Sequence, residues 1–438
     1  MKNTFIKSTI ILLIGGFVTK ILGMIIKIIT NRLLGNEGLG IYMLITPNFM
    51  LLITIAQLGF PIAISKLVAE EKSNNKNLVF SIIPFSLIIN LLIMMGLIFI
   101  SKYIGLNLLH DKRTIGALKS IGFVLPFISI SSILRGYFFG KQRMIPHIVS
   151  NITEDLIRLI ILIIGIPIFL KNGIESAVSF IVLSNIISEL TSIFVLFFFL
   201  PKNFKIKKED IIPKKDNIKN ILEISIPTTS SRIIGNIGYF LEPVIITYFL
   251  LKIGYSNNYI VNEYGVINGY VMPLLLLPSF FTLAISQALI PVVSKAYCNN
   301  DIKYTKRKIK QGIIFSMIIG IPSTLVFTFI PNLPLKLVYN TTKGIPYMRF
   351  LSPICLLYYF QTPLSSSLQA MGYSRDSLKG TILGVTSKLI VLIIGCNLKI
   401  GLWGLIISTC TNIIIVTIYD YIKVKKHLKK TSNEVCIS

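Results

Sequence analysis

The chain has 438 residues, 53% hydrophobic and only 14% charged, with a mean hydropathy of +0.75. A water-soluble globular protein is excluded, because no single core could hide that much apolar surface. The formal net charge of +26 would suggest nucleic-acid binding in a soluble chain, but its distribution here follows membrane topology and excludes that partner.

Crossing ~30 Å of hydrocarbon takes roughly 20 helical residues. About twelve apolar segments of that size predict an all-α polytopic membrane protein. In chain order they cover 5–30, 40–66, 77–101, 115–140, 145–170, 174–200, 218–251, 262–294, 309–331, 346–371, 377–397 and 400–422. Lys2 and Lys7 before the first segment resemble the start of a signal peptide, but no small-residue cleavage site follows and Lys20 interrupts the run. It reads as an uncleaved first span.

Within that span Gly16, Lys20, Gly23, Lys27 and Asn31 recur at spacings of three and four and form one helical stripe. The seventh span repeats the pattern with Ser225, Thr228, Arg232, Gly235, Tyr239 and Glu242. Both stripes contain the same small-cation-x-x-Gly sequence, Thr19-Lys20-Ile21-Leu22-Gly23 and Ser231-Arg232-Ile233-Ile234-Gly235. A cation at mid-bilayer costs at least ~2.5–3.5 kcal/mol, so it faces a wet cavity or a partner. Lys20, Lys27 and Arg232 are therefore the candidate contacts for an anionic substrate.

The chain is also internally duplicated. Gln57-x-x-x-Pro61 with Ser65-Lys66 recurs as Gln287-x-x-x-Pro291 with Ser294-Lys295, and Arg158-Leu-Ile-Ile-Leu-Ile-Ile-Gly165 as Lys388-Leu-Ile-Val-Leu-Ile-Ile-Gly395, each about 230 residues apart. Both copies start after an even number of spans, which predicts two parallel six-helix repeats. The expected domains are an N-terminal lobe 1–204, a basic linker 205–217, a C-terminal lobe 218–422 and a basic tail 423–438. Arg158, Lys388, Gln57 and Gln287 join the candidates as repeat-matched polar residues. Glu154 lies four residues before Arg158, the spacing of a helix-internal ion pair. Glu242 and Glu189 are further acids within spans, which would neutralise cations or titrate as ion-coupling groups, while Lys27 and Arg135 have no repeat counterpart. Pro47, Pro61, Pro126, Pro273, Pro291 and Pro353 lie within spans, where they bend helices.

If the N-terminus is cytoplasmic, about 27 of the 44 Lys and Arg fall on that side against about 11 outside, which places both termini in the cytoplasm. The basic segments 201–219, 295–310 and 423–430 would then attract anionic lipid headgroups. The five cysteines and three histidines show neither disulfide nor metal spacing. The adjacent acid pairs Glu70-Glu71, Glu154-Asp155 and Glu209-Asp210 stand without a wider cluster, so no enzyme site and no cofactor are expected. Coupling to Na+ or H+ leaves no signature in the sequence.

Four stretches carry a family resemblance. Arg32-Leu-Leu-Gly-Asn-Glu-Gly-Leu-Gly-Ile-Tyr42, Leu58-Gly-Phe-Pro-Ile-Ala-Ile-Ser-Lys-Leu-Val-Ala-Glu70, Arg135-Gly-Tyr-Phe-Phe-Gly-Lys-Gln-Arg-Met144 and Ser367-Leu-Gln-Ala-Met-Gly372 resemble the polysaccharide-export branch of the multidrug/oligosaccharidyl-lipid/polysaccharide (MOP) exporter superfamily. Within it the chain is most similar to stage V sporulation protein B and the MurJ-type lipid II flippases. The resemblance implies a V-shaped pair of six-helix lobes that open alternately around a cationic cavity. It implies export of an undecaprenyl-diphosphate-linked cell-wall precursor, such as a lipid II-like unit for spore cortex, with cell-wall or sporulation proteins as partners. Lys20, Lys27 and Arg232 fall where such proteins carry cavity cations. MurJ-type members are longer by two C-terminal spans and favour Arg where this chain has Lys20, which gives point-charge rather than forked phosphate recognition. An O-antigen or teichoic-type lipid-linked glycan is the alternative cargo. A multidrug cation antiporter would want an acid in the first span, and none lies between Lys2 and Asn36.

Overall fold

The computed structural model describes the backbone of residues 2–69, 75–141, 143–201 and 215–429, and the side chains there except 2–14, 69, 75, 215, 216, 227, 228, 231, 234, 287, 288 and 291. Among the described residues no strand occurs. In a bilayer an open strand would leave its backbone groups without partners, whereas a helix satisfies them internally. The first unit contains α1 (Lys2–Gln57), α2 (Phe60–Ala69), α3 (Asn75–Tyr103), α4 (Ile115–Gly140), α5 (Met144–Leu170) and α6 (Ile174–Phe198). After these come α7 (Lys215–Ile253), α8 (Asn257–Gly265), α9 (Met272–Leu275), α10 (Ser279–Cys298), α11 (Ile302–Phe329), α12 (Asn332–Tyr339), α13 (Ile345–Ala370), α14 (Ser374–Asn397) and α15 (Trp403–His427).

Eight described helices are long and apolar enough to cross a membrane, or nine when the pair Asn257–Leu275 and Ser279–Ser286, bent by 51°, is one broken span. The first of the eight, Gly15–Val68, has 54 residues. At 1.5 Å per residue it would be about 80 Å long, enough for two crossings. Gly35 divides it, with φ 68 and ψ −178, a backbone state that only glycine adopts readily. α5 and α13 are long enough but more polar, α5 because Glu154, Asp155 and Arg158 lie within it. With the first helix taken as two crossings and α5 and α13 added to the nine, the described residues hold twelve segments of spanning length, the number expected from the sequence.

The contacts divide the chain into Met1–Pro243 and Val244–Ser438, so α7 is shared between the two units. In the first unit α4 is the hub, packing on α2, α3 and α6, while α5 packs on α1 and α6. Gly136 and Gly140 permit the α2–α4 approach: a Cβ on Gly136 would lie 2.9 Å from Pro61 Cα, and one on Gly140 2.7 Å from the Ser65 carbonyl. This is small-x-x-x-small packing, which suits helices that gain little from hydrophobic burial against one another in lipid. At the opposite end of the unit Arg113 clasps Asp111 at 2.6 Å and also bonds Glu37, fixing the α3–α4 connection beside the Gly35 break.

In the second unit α13 packs on α10, α11 and α15, and α14 lies along α15. The repeat-matched glycines Gly165 and Gly395 have matching duties. Each meets the following helix, Gly165 at the Phe180 ring and Gly395 at the Gly404 backbone. Large exposed side chains such as Phe99, Phe194 and Phe198 in one unit, and Ile318 and Phe329 in the other, give the apolar exterior that acyl chains require.

Candidate substrate site

On α1 the predicted stripe runs from open to closed. Gly16, Lys20 and Gly23 are exposed, Lys27 is half-buried and Asn31 is fully buried. A Cβ on Gly16, Gly23 or Gly235 would meet nothing within 4 Å, so these glycines border open space instead of mediating helix packing. The Thr19 hydroxyl bonds back to the Gly16 carbonyl at 3.1 Å.

The α7 stripe lies against the end of α1. Arg232 is exposed, and its Nη2 donates to Gln57 Oε1 at 3.3 Å. One turn on, Asn236 Nδ2 donates to Thr54 Oγ1 at 2.6 Å. Tyr239 is half-buried, and Glu242 is buried with 2% of its surface exposed. Tyr239 lies in electrostatic reach of both Glu242 and Tyr42. Two candidates chosen on separate grounds, Arg232 from its stripe and Gln57 from the repeat, are thus in contact. Gln57 is placed there by a strained break, since the next two residues, Leu58 (φ 46) and Gly59 (φ 63), both take left-handed conformations that end α1. Lys388 is half-buried on α14 in the second unit, and the Gln287 side chain lies outside the described ones.

The Glu154–Arg158 pair is present at 2.6 Å, and it is part of a larger buried network. Glu154 uses its other oxygen to accept from Arg135 Nη2 at 2.5 Å. Arg135 also reaches Ser192 at 2.9 Å and Glu189 at 3.6 Å, while Arg158 Nε donates to Ser188 at 3.3 Å. Two guanidiniums and two carboxylates join α4, α5 and α6, so charge neutrality is met locally. Sequence reasoning missed Arg135 as a member. The available signal was Ser188, Glu189 and Ser192, polar residues on one face of α6 about one turn apart. It also passed over Asp420, which is fully buried on α15 and bonded to Ser365 of α13, and Asp376, which holds His427 at 2.8 Å and Lys423 at 3.3 Å. No three His, Cys, Asp or Glu among the described residues are arranged to hold a metal ion.

Residues 5–297 match the polysaccharide biosynthesis protein family, and residues 267–394 match the MatE family. The chain belongs to the polysaccharide biosynthesis protein family. Stage V sporulation protein B of Bacillus subtilis (strain 168) is 33% identical over 98% of this chain and 85% of its own length. Lipid II flippase MurJ of the same organism is 21% identical over 98% of this chain and 84% of its own length. An inward-facing multidrug-resistance MATE family transporter of the MOP superfamily has the same fold, with a TM-score of 0.75 at 18% identity over 95% of this chain and 96% of that one. This member of the polysaccharide biosynthesis protein family is therefore a multi-span membrane protein with the MOP fold. Its family-like motifs map to fold devices: Gly35 of the first motif makes the break in α1, and Pro61, Ser65 and Val68 of the second meet Gly136 and Gly140 of the third in the α2–α4 contact.

Proposed function

We propose that this protein is a flippase that moves an undecaprenyl-diphosphate-linked cell-wall precursor, lipid II-like, across the cytoplasmic membrane by alternating access. The observation that carries the reading is the exposed Arg232, held by Gln57 on a polar α7 stripe whose counterpart on α1 displays Lys20. Exposed cations on otherwise apolar helices suit a diphosphate that must leave water, since each would otherwise be a cost to membrane insertion. Family membership and the named activities of the relatives support the same cargo class. In this reading 1–204 and 218–422 are the transport lobes, the termini are cytoplasmic, and Lys20, Lys27 and Arg232 meet the diphosphate. The absence of any carboxylate between Lys2 and Asn36 argues against cationic drugs as cargo.

Reconstitution in liposomes with fluorescent lipid II, and separately with an unrelated undecaprenyl-diphosphate oligosaccharide, tests the reading. Selective, protein-dependent translocation of lipid II is expected. Lys20→Gln and Arg232→Gln should abolish it at normal protein abundance, and Lys20→Arg should retain it because charge and phosphate complementarity survive. Movement of neither lipid by the wild-type protein would sink the flippase reading. Wild-type rates in both Gln variants would remove these cations from it.

A further inference from the structure

At the end of the second unit where α10 turns into α11, six cations occur within 295–310: Lys295, Lys303, Lys306, Arg307, Lys308 and Lys310. The single carboxylate there, Asp301, is committed to the fold. Its Oδ1 accepts the Tyr304 amide at 2.9 Å, and its carbonyl accepts the Thr305 hydroxyl at 2.8 Å. Among the described residues no carboxylate lies in salt-bridge range of any of the six. Folding alone gives no reason for so much uncompensated charge, which repels itself and raises the energy of the compact state.

Beside these cations is a cavity of about 700 Å³, lined by Val292, Lys295, Ala296, Asn299, Asp301 and Tyr304. The helix phase of α10 explains it. Leu289, Val293 and Tyr297 point into the core with Ile309, Leu364 and Leu368, which leaves 292, 295 and 299 exposed on the opposite face. Tyr304 is exposed, and Lys308 Nζ lies 5.1 Å from its ring centroid. From Tyr304 and Lys308, the same face of α11 continues at helical spacing through Phe315, Ile318 and Leu325, each at least half exposed. An amphipathic aromatic and a lysine above an apolar strip are the arrangement that side chains adopt where a helix enters the headgroup layer.

We propose that this cavity seats the headgroup of one anionic phospholipid from the adjacent leaflet. Lys295 and Lys308 neutralise its phosphate, and Asn299 and the Tyr304 hydroxyl donate hydrogen bonds. Its acyl chains lie along Phe315, Ile318 and Leu325. The apolar strip below the cavity selects a lipid over a free anion, and the compact lysine charges suit a phosphodiester approached from several directions. The site is independent of the transport reading, for it requires only that the chain reside in a bilayer.

Tyr304→Trp in the full-length protein, reconstituted in nanodiscs, supplies a reporter that keeps an N–H donor at the cavity. The native Trp403 is the only other tryptophan and begins α15, whose far end meets the α10 side through the Tyr297 hydroxyl bonded to the His427 carbonyl at 3.3 Å. Trp403 therefore lies about 36 Å along α15 from the His427 end that meets α10, and serves as the reference. Brominated phosphatidylglycerol should quench the reporter well beyond brominated phosphatidylcholine. Adding Lys295→Gln or Lys308→Gln should lower that preference about fivefold each. Lys425→Gln with Lys426→Gln, exposed cations near the same end of the unit, should leave it unchanged. Millimolar inorganic phosphate should not relieve the quenching. Equal quenching by both brominated lipids, an equal loss in the Lys425/Lys426 variant, or displacement by inorganic phosphate would each overturn the site.

Discussion

Glu154 accepts from two guanidiniums at once, at 2.5 Å from Arg135 and 2.6 Å from Arg158, so removing its charge takes a partner from two half-buried cations and leaves Glu189, 3.6 Å from Arg135, to face them. Glu154→Gln is expected to cost about 3–5 kcal/mol, the range for breaking a buried pair from one side. Arg135→Gln added to that variant should restore part of the loss, because one stranded charge goes with it. Melting temperature and monodisperse yield in detergent read both changes, and a wild-type melt for Glu154→Gln would show that the network adds nothing. The sequence made half of this network readable. Glu154 and Arg158 are one turn apart on one helix, where spacing alone predicts the contact. Arg135 is nineteen residues from Glu154 on a different helix, and only the packing of α4 on α5 and α6 joins them. The substrate candidates divide the same way. Arg232 and Gln57 each stood out by pattern, but 175 residues separate them and no local rule pairs them.

The glycines separate into two kinds once the helices are assembled. Gly136 holds α4 against Pro61, whereas Gly23 borders open space. Gly136→Ala should therefore destabilise by about 1–3 kcal/mol through forced separation of α2 and α4. Gly23→Ala should stay within about 0.5 kcal/mol in the same thermal-melt series. An inverted order would refute this assignment of roles. Span limits were legible because each rod carries its own run of apolar residues of bilayer length. The break at Gly35 falls in the polar gap between the first two predicted spans, 5–30 and 40–66, whereas the one at Leu58–Gly59 was not legible, because hydropathy runs on across it. What defines them is positive φ, which a glycine permits and Leu58 tolerates only under constraint from its surroundings.

Across the whole molecule the proposed orientation, with both ends in the cytoplasm, rests on the asymmetry of about 27 against about 11 Lys and Arg. Single cysteines at positions 73, 217 and 431, in a background lacking the five native ones, should resist an impermeant maleimide in intact cells and react after lysis. Labelling of Asn217→Cys from outside would reverse the orientation, and the cytoplasmic placement of the α10–α11 turn with it.

The charge network also constrains biogenesis. α5 carries Glu154, Asp155 and Arg158 near its middle, and charged side chains at a helix centre cost about 2.5–3.5 kcal/mol each when a nascent segment partitions alone into lipid. Its neighbour α4 precedes it in synthesis and holds Arg135, so a partner for Glu154 is already waiting when α5 emerges. Glu189 and the two serines arrive only with α6. The fifth span is therefore suited to integrate as part of a hairpin with the fourth, and the first unit completes its electrostatics one helix after that hairpin has formed.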